Sequence, residues 1–254
     1  GPDGKRLSKR HGATAVGEYR NEGILPDAMR NFLALLGWSP GDDREVFGKD
    51  DLVEAFSLER VLKKSSVFDF KKLEWLNGQH LAAMPTESLL PRVRERLEEE
   101  ALIGPESAAT AFPPVDLTFL VDHLKVRART VEDLLNQSVP YFQEELTYDA
   151  KAVKKQWAKD PESTARMLTS LLAALRGVDW NQEALEGAAR GLAEEMGIGA
   201  GKLFQPLRLA LTGSSASPGI FDVLVLLGRE RSQNRIEKAV NILRSGKLPL
   251  DQGP

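Results

Sequence analysis

The sequence predicts an all-α protein in an elongated, multi-domain helical arrangement with little or no sheet, and three observations predict it. Apolar residues recur three and four apart, as in Met29, Phe32, Leu33 and Leu36 and again in Leu185, Ala188, Ala189 and Leu192, which lines one face of a helix. No stretch sustains the period-two alternation of a half-buried strand, and only short extended pieces around Val46-Phe47 and Val67-Phe68 fit. Proline and glycine stand where helices begin and end.

Taken in order, the chain opens Gly1-Pro2-Asp3-Gly4 without an initiator methionine. It reads as a piece of a longer protein, with Gly1-Pro2 native or a cleavage scar. A helix is expected from Pro26-Asp27, because proline tolerates the first turn, where its missing N–H would be unbonded anyway. Seams are expected at Met84-Pro85-Thr86, from Ile103 to Pro114, and at Val139-Pro140, where proline or small residues interrupt the helical pattern. Another helix starts at Asp160-Pro161-Glu162, whose carboxylates favour the positive end of the helix dipole. Gly177 and Gly246 read as helix exits. The seams give three segments, 1–86, 87–140 and 141–254.

Composition narrows the function. The 254 residues carry 34 Lys and Arg against 37 Asp and Glu, a net charge of −3. A strongly basic nucleic-acid coat is thereby excluded, and any nucleic-acid surface must be local and shaped. There is no cysteine, which removes disulfides, thiolate nucleophiles and cysteine zinc sites together and suits a reducing compartment. Apolar runs such as Val223–Leu227 are too short to span a bilayer. The histidines, His11, His80 and His123, offer no pair at metal-ligand spacing, so no metal site is expected.

The densest basic patch is Lys5-Arg6-Leu7-Ser8-Lys9-Arg10, flanked by Gly4 and Gly12. Clustered cations repel one another unless something anionic sits among them, and flanking glycines let backbone approach a phosphate closely. Phosphate binding fits the patch; so does a solvated basic terminus.

This run resembles the second nucleotide-binding signature of class I aminoacyl-tRNA synthetases, in the Lys-Leu-Ser-Lys-Arg form of the bacterial-type glutamyl-tRNA synthetases. The resemblance continues through Leu25–Ser39, Phe68–Gly78, Gln205–Gly213, Ser217-Pro218 and Leu227-Gly228-Arg229, in the family's order. It implies an enzyme that makes glutamyl-adenylate from glutamate and ATP and transfers the acyl group to tRNA(Glu). The Rossmann domain and its His-Ile-Gly-His signature have no counterpart here. The chain would hold the signature loop and stem-contact domain (1–86) and two helical anticodon-binding domains (87–140 and 141–254). Alone it is expected to bind tRNA without aminoacylating. A monomeric, cytoplasmic enzyme is implied, using ATP with Mg²⁺ in the full-length chain.

Carried over by position, Lys9 would neutralise charge on the ATP phosphates as pyrophosphate departs. Ser8 and Arg10 would help shape the loop, and Leu7 is a member of the same ATP-binding signature. Arg6 stands where the family has lysine, and a guanidinium fork does not replace an ammonium point charge in geometry. In Leu124–Thr130 the resemblance points to an arginine that discriminates the last anticodon base. Arg127 is the first choice and Arg129, two residues on, the other. A guanidinium can pair with an unstacked base edge or stack upon it.

Other features carry less. Gly197-Ile198-Gly199-Ala200-Gly201-Lys202 lacks the P-loop glycine and the following Ser or Thr, since Met196 and Leu203 hold those places, and it reads as a helix connection. Trp38, Trp75, Trp157 and Trp180 read as core or seam residues rather than base-stacking platforms. Two other readings are a helical protein-interaction scaffold with a solvated basic terminus, and a glutaminyl enzyme. The latter reads its anticodon with β-barrels, for which the strand pattern is absent.

Overall fold

The computed structural model describes residues 1, 3–7, 15–63, 65–104 and 115–250. Among these residues twelve α-helices and two short 3-10 turns carry the fold, and the only pairing of extended chain is an isolated antiparallel bridge between Trp38 and Val61. The all-α expectation holds. Val46-Phe47 and Val67-Phe68 are irregular, not strands, because their aromatic members are consumed as core plugs. Phe47 is buried, and Phe68 packs edge-on against Phe32 with ring centroids 4.8 Å apart.

The chain divides into two compact units, residues 1–93 with 121–137, and residues 94–120 with 138–254. In the first unit, α1 (Val16–Asn21), α2 (Pro26–Gly37), α3 (Lys49–Ala55) and α4 (Phe70–Ala83) follow in order. Pro26 occupies the first turn of α2, as its spacing predicts. Asp69 caps α4 by accepting from the amides of Lys71 and Lys72 at 2.9 and 3.2 Å, which satisfies N–H groups that have no partner inside the helix. Tyr19, Ile24, Met29, Phe32, Leu73 and Leu76 form one core, and Trp38, Phe47 and Leu52 a second. Asn31, fully buried, donates to the carbonyl of Glu45 at 2.9 Å and accepts from the amide of Phe47 at 2.9 Å. One side chain thereby fastens an irregular segment to α2.

The helices α5 (Thr86–Glu99), α6 (Leu117–Lys125) and α7 (Val131–Ser138) come next. Proline is accommodated inside α5 at Pro91.

In the second unit the helices are α8 (Ala150–Gln156), α9 (Pro161–Ala174), α10 (Gln182–Glu195), α11 (Ala200–Thr212) and α12 (Ile220–Ser245). α12 is the central member, touching α9, α10 and α11. Leu168, Leu171, Leu207, Leu224, Ile236 and Ala239 are buried where these helices meet. Asp149, Asp160 and Asn181 cap the helices that follow them. Gly246 ends α12 in the left-handed conformation at φ 69°, as its exit role requires. Gly177 is likewise left-handed, in the turn after α9. Gly199 and Lys202 begin α11, so the glycine-rich decoy is the helix connection expected of it.

Candidate nucleic-acid interface

Three sets of basic residues are candidates for a nucleic-acid surface, and the structure turns the third inward. The first is the N-terminal turn. Gly4 adopts φ 73°, its amide bonds the carbonyl of Gly1 at 3.0 Å, and the Lys5 amide bonds Oδ1 of Asp3 at 3.1 Å. Lys5, Arg6 and Leu7 are all exposed beyond this turn. The remaining signature residues, Ser8, Lys9 and Arg10, lie outside the described residues.

The second set is the turn between α6 and α7, which carries Arg127 and Arg129. Its amides at Arg127 and Ala128 both bond back to the carbonyl of Leu124, at 2.9 and 3.1 Å. Thr130 and Asp133 then cap α7 reciprocally. The Asp133 amide donates to Thr130 Oγ1 at 3.0 Å, while Asp133 Oδ2 accepts from the Arg129 amide at 2.9 Å. Such an arrangement fixes both the chain direction and the start of the helix.

This turn is pressed onto α4 rather than left loose. A Cβ on Gly78 would stand 3.1 Å from the Ala128 carbonyl and 3.3 Å from Arg129 Cδ, so any larger residue would make this a tight contact that the turn must give way to slightly. The preceding residue, Asn77, donates to the Arg129 carbonyl at 2.6 Å. Asn77-Gly78 is part of the segment whose resemblance was noted, but its grip on residues fifty positions away is a long-range contact that spacing does not announce.

The two arginines differ in surroundings. Both are exposed, but the side chain of Arg129 lies along Gly78. Arg127 makes no side-chain hydrogen bond or ion pair among the described residues, so its whole donor fork faces solvent. Lys125, just before the turn, is committed elsewhere. Its ammonium donates to the Met84 carbonyl at 3.0 Å and Thr86 Oγ1 at 2.9 Å, and pairs with Asp122 at 3.1 Å. The same contacts hold the Asp122 carboxyl below its usual range, chiefly through the hydrogen bond from Thr86 and then that from Lys125.

The third set is the arginines of the second unit, of which Arg208 and Arg229 lie in segments that carry the resemblance while Arg235 was not singled out by sequence reasoning. Arg235 is buried and donates to the carbonyls of Leu211, Pro140 and Gln143 at 2.5, 2.7 and 2.7 Å. Burial lowers its pKa to about 10. Arg208 donates to the carbonyls of Ser217 and Pro218 at 3.0 and 2.5 Å. Arg229 donates to the Val178 carbonyl at 2.5 Å and lies over the Trp180 ring, 4.9 Å from its centroid. These guanidinium groups fasten loops to helices by satisfying carbonyls.

The tryptophans are structural. Trp38 and Trp157 are buried, Trp75 packs against the first core, and Trp180 is covered by Arg229 while its Nε1 donates to the Leu224 carbonyl at 2.8 Å. Among the described residues no three acidic or imidazole side chains converge on a possible metal position, and no helix is long and apolar enough to cross a membrane.

Comparison with known proteins decides what this scaffold is related to. A family model of the anticodon binding domain matches residues 78–240, well over half the chain. The chain belongs to that family. A second family model, for the catalytic domain of class I tRNA synthetases (E and Q), matches residues 1–75. The anticodon-binding match therefore begins at Gly78, where α4 receives the arginine-bearing turn.

Among curated relatives, the glutamate–tRNA ligase of Desulforudis audaxviator is 38% identical over 252 residues, covering 94% of this chain and 48% of that protein. That of Citrifermentans bemidjiense is 40% identical over 245 residues, covering 94% and 50%. The crystal structure of a glutamate tRNA ligase from Elizabethkingia meningosepticum in complex with its amino acid is similar with a TM-score of 0.72 and 31% identity, covering 94% of this chain and 49% of that one. The chain thus spans about half the length of the curated relatives it matches. The resemblance to glutamyl-tRNA synthetases read from the signature loop is shown over almost the whole of this anticodon-binding family member.

Proposed function

We propose that the chain is the tRNA-binding portion of a cytoplasmic, monomeric glutamate–tRNA ligase, and that the whole enzyme attaches glutamate to tRNA(Glu) through glutamyl-adenylate. Three functional parts are assigned: the signature loop and stem-contact region at 1–86, and anticodon-binding regions at 87–140 and 141–254. The observation that carries the reading is the exposed Arg127 fork. It stands on a turn fixed at both ends by hydrogen bonds, within the span matched by the anticodon-binding family. A guanidinium held in place by its backbone, with donors uncommitted to protein, is pre-organised for an unstacked base. Arg129 is the alternative reader, and its packing along Gly78 makes it the less available of the two.

The N-terminal turn fits an ATP polyphosphate in its chemistry, since the side chains of Lys5 and Arg6 are exposed just beyond it. Bound with Mg²⁺, ATP would supply the anhydride that activates the glutamate carboxylate. Lys9 would balance the negative charge that grows as pyrophosphate leaves. Arg6 would reach the same phosphates, and Leu7, Ser8 and Arg10 would set the loop's shape.

Filter binding of a tRNA(Glu) transcript to the 254-residue chain tests the reading. Retention at low salt that weakens steeply as salt rises is expected, because phosphate neutralisation releases counterions. No retention at low salt overturns it.

A further inference from the structure

The outer face of α8 carries a set of cations that nothing above employs. Lys151, Lys154 and Lys155 lie within about 100° of arc on this helix at its 100° advance per residue, and Lys159 follows in the turn beyond it. All of them are exposed, while Ala152, Val153 and Trp157 on the opposite side are buried.

The face is held rigidly. Trp157 is fully buried, donates from Nε1 to the Pro206 carbonyl of α11 at 3.3 Å, and meets Tyr148 with ring centroids 5.1 Å apart. The Asp149 amide bonds the Gly213 carbonyl at 2.8 Å. The lysines are thus displayed from a fixed platform inside the anticodon-binding match.

Their charge is left uncompensated. Some cations of the second unit are coupled to carboxylates, as in Arg166–Glu162 at 3.2 Å, Arg190–Glu186 at 2.6 Å and Lys238–Glu145 at 2.5 Å. Exposed Arg176, Lys202 and Lys247 stand one at a time without an ion pair among the described residues, and the α8 set differs from these in being clustered. None of the α8 lysines has an ion pair among the described residues. The nearby carboxylates are engaged otherwise: Asp149 accepts from the amides of Lys151 and Ala152, Asp160 from that of Ser163, and Glu162 pairs with Arg166. Lys151 and Lys155 are four apart, a like-charge spacing that is unfavourable to an isolated helix. Compensation of the helix dipole accounts for Lys154 and Lys155 in the last turn but not for Lys151 ahead of them.

We propose that Lys151, Lys154, Lys155 and Lys159 form a phosphate-contacting surface for the tRNA backbone, reading no sequence. It rests on the tRNA-binding reading and adds to it a second contact distant in sequence from Arg127. Lysine suits the task, because a hydrated point charge on a flexible stem follows a phosphate path without requiring a fixed geometry.

The test measures the affinity of the 254-residue chain for a tRNA(Glu) transcript across a salt series. Wild type is compared with a chain in which all the lysines of the set are changed to alanine and one in which all are changed to arginine. The alanine set is expected to lower the slope of log affinity against log salt by about 3, near 0.7–0.9 per lost phosphate contact. It is expected to weaken low-salt binding at least about tenfold, equally for the transcript and for one with an altered anticodon. The arginine set should retain both the slope and the affinity. An alanine set with the wild-type slope overturns the proposal while leaving tRNA binding by the chain intact, as does lost affinity without a change of slope. Failure of the wild type itself to bind overturns both.

Discussion

The side-chain amide of Asn77 donates to the main-chain carbonyl of Arg129 at 2.6 Å. The same Asn77 accepts from the Leu25 amide at 2.7 Å and donates to the Gly23 carbonyl at 3.2 Å, with its side chain fully buried. One carboxamide therefore joins the entry to α2, the body of α4 and the turn that carries Arg127. A buried network of this kind stabilises only while every member is satisfied.

Asn77→Ala leaves a buried amide and two carbonyls without their partner, so the first unit should lose about 2–3 kcal/mol of stability. Asn77→Asp keeps the acceptor for Leu25 but sets a carboxylate against the carbonyls of Gly23 and Arg129, and should not restore stability at neutral pH. Urea unfolding of both variants checks this. Wild-type midpoints would show that the clamp does not hold the turn.

His80 supplies a pH dependence in the same unit. Burial pushes its imidazole pKa below the ordinary value, opposed by Asp27 and reinforced by Arg30. Its Nε2 lies 3.0 Å from Asn31 Oδ1, an atom that only accepts, so the neutral ring donates there. The unfolded chain therefore binds the proton more readily than the folded one. Stability from the neutral ring is complete above the unfolded pKa of about 6.5 and falls away as pH drops through the lower folded value. Unfolding from pH 8 to pH 5 should show wild type losing its advantage over His80→Gln as acidity rises. A constant difference across that range would count against the coupling.

Two glycines separate steric from conformational cost. Gly213 closes α11 at φ 71°, and a Cβ there would stand 2.2 Å from the Thr147 carbonyl oxygen. Gly246 closes α12 at φ 69° with open space around it. Gly246→Ala should cost about 1–2 kcal/mol, the left-handed penalty alone. Gly213→Ala must also displace backbone that anchors α8, and should cost at least about 2 kcal/mol more than its counterpart. Paired thermal melts compare them, and equal losses would contradict the argument.

How much of this could be read beforehand depends on the range of the interaction. Pro26, Pro161 and Gly246 announce helix ends because capping and φ restriction act within a few residues. The signature loop was legible as a motif, with no packing needed to recognise it. The docking of the Arg127–Arg129 turn on Asn77-Gly78 was not legible, because it joins segments some fifty residues apart on either side of the expected seam at Pro85. Nor were the carbonyl-bound arginines, since Arg235 and Lys159 look alike in composition while one is buried and the other exposed. The Trp38–Val61 bridge escaped for the same reason, as it needs only one residue from each side and leaves no alternation.

The final prediction separates chemistry from recognition in the longer enzyme. On the proposed reading Lys9 serves a phosphate-directed loop, where its charge would matter most as negative charge develops. Lys9→Ala should therefore lower adenylate formation by about 10²–10³-fold while changing tRNA affinity little. Arg127 faces solvent from a turn whose position Asn77, Gly78 and Asp133 already determine, so truncating it should leave the backbone in place. Arg127→Ala should weaken discrimination at the anticodon by about 10- to 100-fold with adenylate formation from glutamate and ATP preserved. Arg129→Ala, whose side chain packs along Gly78, should instead show a loss of stability with less change in discrimination. Pyrophosphate exchange and aminoacylation of cognate and anticodon-altered transcripts measure the two effects separately. If either Lys9→Ala or Arg127→Ala depresses both in equal proportion, the loop and the turn do not divide the work in this way. If Arg129→Ala carries the discrimination instead, the reading fork is Arg129 and the exposed donors of Arg127 serve another purpose.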